Sequence, residues 1–479
     1  GCYSAGRWWR RHAEQPRHSA HYGRSFSEGD NAMNTLTRGQ RGFATLLVFA
    51  VIVISAVVIG TIQSTAFSQA AAGRESLARV RAFWAARAGV ECTIARLEFA
   101  TENPDPNDAY QVLNDMTDVA EGVVAGAVWR IATTDGKNEV LGPADAHAKI
   151  NINLATVDQL LSIEPLMTED VADSIADWID ADDDVNPLGA EISFYQTLPH
   201  SYVPRNGPLR SIQELELVAG VSQQDVRGED WNLNGILDPN EDDGDASWPP
   251  DNADGILDRG WSGILTASSR DGGLNAAGEA PIDLITTSES EVIAKTQVNS
   301  EQAKAIIEYA SMGQNPTMRA FIATNLATLQ QQATGQAAVG GRNRNRVPNL
   351  SNEQLTALLE YFTIGSASDT APGPGKLNIN TCDAETLQFL PEIEPEVADA
   401  IIAERSSRPD GFTSVLDLSE VSGITRRQLS TLYDILCTRS NVFIVTSRGR
   451  DEKTGLEVEI QATIDRSSLP VVLSEVLVR

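Results

Sequence analysis

The chain has 479 residues, of which 37 are basic and 66 acidic, a formal net charge of −29 with histidine neutral. That balance argues against a nucleic-acid-binding protein, which neutralises phosphates with a basic face. It suits an acidic body able to attract cations, and the length allows two or three domains.

Residues 1–32 show no helical or strand periodicity. Met33 opens a short basic stretch with Arg38 and Arg41 that closes at Gly42, and Met33 is the expected true start, with residues 1–32 an artefact or a dispensable extension. Residues 43–73 then contain no Asp, Glu, Lys, Arg or His. About 20 apolar residues suffice to span a bilayer as a helix. Thr45, Ser55 and Thr61 can satisfy their hydroxyls on their own backbone, so the stretch predicts a membrane helix. Arg38 and Arg41 keep its N-terminal end cytoplasmic and put the bulk of the chain on the far side. A secretory signal would place its small residue after the apolar run, whereas Gly42 precedes it. The pattern resembles the leader of type IV pilin-like proteins, which a dedicated peptidase cuts between glycine and the following residue. The resemblance implies cleavage between Gly42 and Phe43; an uncleaved signal anchor is the alternative.

Residues 74–97 continue as an amphipathic helix, with Leu77, Val80, Phe83, Trp84, Val90, Ile94 and Leu97 at mostly three- and four-residue steps. One helix is therefore predicted over 43–100, stopped by Asn103-Pro104. Strand patterns follow at 122–134 and 146–152, joined across a turn at "DGKNEV". They return only at 441–450 and 456–465, with "DEKTG" as the turn and a further strand in the tail. The predicted fold is α+β: a long N-terminal helix and an antiparallel sheet whose halves (101–152 and 441–479) flank an inserted all-α domain at 153–440.

The insertion contains a repeat. "KININLATVDQLLSI" (149–163) matches "KLNINTCDAETLQFL" (376–390), and "SIQELELVAGV" (211–221) matches "SVLDLSEVSGI" (414–424). Each unit reads as an extended lead-in, a capped helix, a second helix and a Ser-capped third helix. The units resemble helix-hairpin-helix modules, which bind DNA through small residues at the hairpin. Here the hairpins read "EPLM" (164–167) and "PEIE" (391–394), which place carboxylates where phosphate would lie. The scaffold is expected without the DNA contact. Helices are also predicted at 299–309 and 351–361, with a linker at 330–346.

Residues 230–241 read "DWNLNGILDPNE". Asp230, Asn232, Asn234, Gly235, Asp238 and Glu241 fill every constrained position of the D-x-[DN]-x-[DN]-G-x5-E calcium loop. Calcium needs 6–8 oxygens; Gly235 permits the sharp turn, Ile236 offers its carbonyl and Glu241 can bind bidentately. "DDGDASWPP" after the loop breaks helix, so a calcium loop is expected without a full EF-hand. Asn252, Asp254, Gly255 and Asp258 echo it, although Pro250 occupies the first position and the last carries no acid. A second ion there is the weaker expectation. Trp231, Trp248 and Trp261 gather in this region as local core.

Cys382 and Cys437 near the ends of one C-terminal unit could form a disulfide in an oxidising compartment, or be two buried free thiols. The histidines are His12, His18, His21, His147 and His200, and no Ser/His/Asp or Cys/His grouping is evident. No enzymatic activity is expected.

Taken with the Gly42-Phe43 leader, "ADSIADWIDADDD" (172–184), "GAEISFYQ" (189–196) and "RNGPLRSIQELELVAGV" (205–221) resemble the general secretion pathway protein K family. These are minor pseudopilins of the type II secretion system. The resemblance implies a pilin core with an inserted α-domain, calcium binding, processing and N-methylation by prepilin peptidase, and other minor pseudopilins as partners. It implies a single-pass inner-membrane protein with its bulk in the periplasm, taking part in protein export across the outer membrane. Most pilins carry Glu at the fifth mature position; here it is Leu47. A carboxylate in hydrocarbon normally implies a partner, so its absence points to a tip subunit that caps the pseudopilus and helps start its assembly. A membrane-anchored helix-hairpin-helix DNA receptor and a calcium-stabilised adhesive ectodomain are the alternatives.

Overall fold

The computed structural model describes residues 40–134, 136–163, 167–313, 315–335, 347–365 and 373–479, with side chains from residue 43 onward. Met33, most of the first hairpin at 164–167 and most of the linker at 330–346 lie outside the described residues, as does the side chain of Arg41. The chain divides into two compact units at residues 71/72.

Helix α1 runs over Gln40–Glu102, 63 residues. In the first unit its apolar part is exposed along residues 43–71, and it is long and apolar enough to cross a membrane. The hydroxyls of Thr61, Thr65 and Ser68 donate to carbonyls one turn back, at 2.8–3.0 Å, so these polar groups are satisfied inside the helix.

In the second unit the rest of α1 packs on an antiparallel sheet. Its strands are β1 (Glu121–Val124), β2 (Ala127–Thr134), β3 (Glu139–Leu141), β4 (Ala144–Asp145), β5 (Val442–Asp451), β6 (Glu457–Asp465) and β7 (Val472–Val478). The order is β1-β2-β5-β6-β7, with β3 pairing on β2 and β4 on β5. Ser447 lies opposite Ile131, Phe443 opposite Asp145 and Arg450 opposite Glu457. The segment 122–134, expected as one strand, is a hairpin. Ala125 and Gly126 both take positive φ, as a two-residue turn of this kind requires. The expected turn at "DGKNEV" contains the start of β3. The expected strand at 146–152 breaks into a 3-10 turn, Ala146–Ala148, and a two-residue strand that pairs away from the main sheet.

The helix face turned to the sheet keeps Phe83, Val90, Ile94 and Leu97 of those periodicity picked, but adds alanines and leaves out three large residues. Ala78, Ala82, Ala85, Ala86, Val90 and Leu97 are buried, whereas Leu77, Val80 and Trp84 are exposed. The reason is close backbone approach. A Cβ built on Gly449 of β5 would collide with the backbone of Ala82 and Ala86, so only small residues fit between helix and strand. The core beneath them is Ile131, Phe443, Val445, Ile460, Ala462 and Ile464.

Residues 146–441 leave the sheet after β4 and return at β5, and they hold two further cores. The first gathers Ile150, Leu160, Ile175, Trp178, Tyr195, Leu215 and Trp261; the second gathers residues from Leu284 to Leu436. In the first, a short strand Ile150–Asn151 is followed by α2 (Val157–Leu161), α3 (Glu169–Ile179) and a 3-10 turn, Ile212–Leu217. In the second, Leu377–Asn378 is followed by Ala384–Gln388, Pro395–Ser407 and a 3-10 turn, Val415–Glu420. The third element of each unit is thus 3-10 rather than α. Both units use one Asn as a backbone clasp. Asn153 donates to Leu209 O at 3.0 Å and accepts from Leu209 N at 2.7 Å; Asn380 does the same with Phe412 at 2.9 and 2.8 Å.

Cys382 and Cys437, offered by the sequence as a disulfide pair or two free thiols, are free thiols here. Cys382 points into the second core, where burial pushes its thiol up to about 12. Cys437 Sγ faces the Lys376 carbonyl at 3.4 Å.

Substituting Gly449→Ala should force α1 off the sheet and cost about 1–3 kcal/mol, the usual range for overpacking. Urea unfolding of the two proteins checks this; an unchanged midpoint would show that the helix can shift without loss.

Candidate metal centre

The loop at 230–241 follows a five-residue helix, Gln223–Arg227, that Gly228 ends with positive φ. Two residues of the loop itself, Leu233 and Gly235, also take positive φ, and the glycine does so without strain. The carboxylate of Asp230 accepts the N–H groups of Asn234 and Gly235, both at 3.0 Å. Asn232 Oδ1 accepts from Asn234 N at 2.9 Å, and Asn234 Oδ1 from Ile236 N at 2.8 Å. Glu241 closes the loop, accepting from Trp231 N and Asp238 N at 3.1 Å each. Asp238 Oδ2 accepts from the amides of Asn232 and Asn234 at 2.8 and 3.0 Å. The loop therefore gathers Asp230, Asn232, Asn234, Asp238 and Glu241 about one turn, with Ile236 after its glycine.

Asp230 and Glu241 are almost wholly buried. Burial pushes Asp230 up to about 6, against the pull of the Gly235 N–H and Lys149. It pushes Glu241 up to about 7, helped by the charges of Asp230 and Asp238. Acidic oxygens held this dry without a full counter-charge fit a hard cation.

The loop also grips the sheet. Thr134 N donates to Gly235 O at 2.9 Å, Thr446 Oγ1 to Asn234 O at 3.1 Å, and Gln461 Nε2 to Leu233 O at 2.7 Å. Arg448 bridges Asp238 at 2.5 Å and Glu459 of β6 at 2.9 Å.

The second loop repeats this geometry with borrowed parts. Asp254 N donates to Asn252 Oδ1, and Ile256 N to Asp254 Oδ1, each at 2.9 Å. The first-position role, filled by Asp230 in the first loop, falls to Asp242, whose Oδ1 accepts from Gly255 N at 2.9 Å. The last-position role falls to Glu229, which accepts from Asn252 N at 3.0 Å and Asp258 N at 3.2 Å. A twelve-residue window could not reveal either residue, because both lie outside it. Of the three tryptophans, Trp261 is buried in the first core, while Trp231 and Trp248 stack edge to face at 5.5 Å with Trp248 exposed.

The tightest grouping of three acids among the described residues lies elsewhere, at Asp177, Asp180 and Glu191.

Residues 141–228 match the family model described as "Type II secretion system (T2SS), protein K". Residues 374–437 match the one described as "Helix-hairpin-helix motif". No curated protein matches the chain in sequence. Among solved structures, a chain of "The Crystal Structure of the GspK-GspI-GspJ complex from enterotoxigenic Escherichia coli Type 2 Secretion System" is similar at 14% identity and a TM-score of 0.35, covering 85% of this chain and 99% of that one.

Without a cation, Asp230 and Glu241 hold protons more tightly folded than unfolded, so their contribution is intact near pH 4 and is lost as pH rises through about 6 to 7. In chelator the melting temperature should fall across that window. The double variant Asp230→Asn/Glu241→Gln should flatten the fall, and an equal slope in both proteins would refute the assignment.

Proposed function

We propose that this chain, whose residues 141–228 belong to the type II secretion system protein K family, is a minor pseudopilin that caps the pseudopilus tip and helps to start its assembly. The family match carries the proposal. A single described helix long and apolar enough to cross a membrane supports an inner-membrane anchor, with the rest of the chain in the periplasm.

Leu47 supports the tip position. A buried carboxylate at this depth would need a partner, and leucine needs none. The size of the insertion supports it too, since residues 146–441 would crowd lateral neighbours within a filament. The partners in this proposal are other minor pseudopilins, met along α1, and the prepilin peptidase that cuts after Gly42. Leu77, Val80 and Trp84 lie at three- and four-residue steps and are exposed because alanines face the sheet. They offer an apolar stripe for neighbouring helices.

Calcium is proposed as the cofactor. Asp230, Asn232, Asn234, Asp238, Glu241 and the Ile236 carbonyl would hold one ion. Asn252, Asp254 and Asp258 would hold a second, with Asp242 and Glu229 completing the set. The first ion would stiffen the loop that grips the sheet, and so fix the insertion on the pilin core.

The helix-hairpin-helix match raises a nucleic-acid reading. At that hairpin Glu392 takes the positive φ and puts a carboxylate at the tip, which supports scaffold use over phosphate binding.

Co-expression with a prepilin peptidase should give a chain whose mass begins at Phe43; an uncut chain would sink the proposal. Trp84→Glu, at an exposed position, should leave the melting temperature unchanged and abolish co-purification with the minor pseudopilins of the same system. Full retention of the partners would remove α1 as the docking element.

A further inference from the structure

A cavity of about 420 Å³ opens where the end of α1, the sheet and the second core meet. Its walls come from residues 101–113, from 271–281, from the helix Asn352–Tyr361 and from the segment 433–443. Phe443 of β5 and Arg466, just beyond β6, line it from the sheet. None of the acids at 177–191 or 229–258 reaches it.

Two guanidiniums share this cavity. Arg466 Nε donates to Ser440 O at 3.0 Å, and its Nη1 to Thr101 Oγ1 at 3.4 Å. Arg439 commits a single nitrogen, Nη2, to three carbonyls: Asp105 O at 3.1 Å, Pro106 O at 2.7 Å and Asp108 O at 3.5 Å. Arg439 Nε and Nη1 and Arg466 Nη2 make no hydrogen bond among the described residues, and neither arginine forms an ion pair there. A guanidinium carries its N–H donors in a fixed fork, so most of the donors of this pair remain unanswered. Burial pulls both groups below the ordinary arginine range, Arg466 to about 10, and the charge of Arg439 adds to the fall of Arg466. Like charges brought together out of water are costly, and an anion between them offsets the cost.

The acids in the same cavity decide which class of anion fits. Asp105, Asp108, Asp271 and Glu360 line it, and each accepts from a backbone N–H, of Asn107, Tyr110, Gly273 and Ala276 in that order. The fields of Glu360, Asp108 and Asp105 reach Arg439 without pairing with it. They repel a doubly charged sulfate or phosphate about twice as strongly as a carboxylate. Val112, Val415 and Leu436 add apolar wall beside the polar groups, as in most small-ligand sites.

We propose that Arg439 and Arg466 bind the carboxylate of a small organic monoanion whose apolar tail lies against Val112, Val415 and Leu436. Planar guanidinium forks match a carboxylate in two places at once. Such a carboxylate is carried by a free acid or by the C-terminus of a peptide. Bound here, it would join the turn after α1, which Arg439 holds, to the end of β6, which Arg466 holds. The site stands independently of the tip assignment.

The test is calorimetric titration of the full chain in detergent with N-acetyl-leucine, its amide, sodium butyrate and sodium sulfate. N-acetyl-leucine should give a saturating heat and its amide none. Arg439→Lys and Arg466→Lys keep the charge and lose the fork, so each should weaken binding about tenfold. No saturating heat from either acid, equal heats from N-acetyl-leucine and its amide, or unchanged affinity in both lysine variants would overturn the proposal. Sulfate binding as tightly as N-acetyl-leucine would overturn the choice of a monocarboxylate. Butyrate at least as tight as N-acetyl-leucine would identify a free acid as the ligand; butyrate about tenfold weaker would identify a peptide C-terminus. Leu274→Glu serves if the lysine variants do not fold, because Leu274 lines the cavity and is 46% exposed. The added charge should weaken N-acetyl-leucine severalfold at an unchanged melting temperature, and unchanged affinity would count against the site.

Discussion

One buried carboxylate holds the place where two parts of this protein join. An insertion between paired strands is possible only if its two ends emerge side by side, and Asp145 enforces that condition. Its Oδ1 accepts from His147 N at 2.8 Å, at the way out. Its Oδ2 accepts from Ser440 at 2.6 Å, at the way back, and from Thr381 at 2.5 Å within the second repeat. A buried acid left without such hydrogen bonds would be costly. The same side chain therefore sits where the strand register places Asp145 opposite Phe443 and ties in the helical repeat.

The second fastening is the loop at 229–241. Its carbonyls at Leu233, Asn234 and Gly235 accept from strands β6, β5 and β2 in turn. Those carbonyls belong to the turn around Gly235, which the carboxylate of Asp230 holds from inside. The side facing the sheet and the side facing the acids are thus one short backbone segment. Anything that changes the charge state of Asp230 or Glu241 acts directly on how firmly the insertion sits on the sheet.

Much of this was legible in the sequence, and the exceptions have physical causes. The long helix, the hairpin at 441–465 and the repeat within the insertion follow from hydrophobic period, turn residues and self-similarity. Only part of the α1 face followed, Phe83, Val90, Ile94 and Leu97, because periodicity weights large residues. The contact is made by alanines, and Gly449, hundreds of residues away, sets the spacing. The hairpin at Ala125-Gly126 was missed because alanine seldom takes the positive φ it has here. The first acidic loop could be read from spacing alone, since its residues lie within one short window. Glu229, Asp242 and Glu191 could not, because each reaches its neighbours from outside any local window.

The distribution of acids within the insertion explains why its halves differ in character. The second core is closed by aliphatic packing between Leu284 and Leu436, and its helices start with capping boxes at Asn299, Ser351 and Thr425. In the stretch that holds the first core, Asp177, Glu191, Glu229, Asp230 and Glu241 are all buried, while Lys149 is itself pulled down to about 8 by burial. Like charges at this density oppose compaction unless protons or cations offset them. The buried acids of the insertion thus gather between residues 150 and 267, the stretch that includes the loop gripping the sheet. The segment that holds the insertion to the sheet is the one in which those buried acids are concentrated.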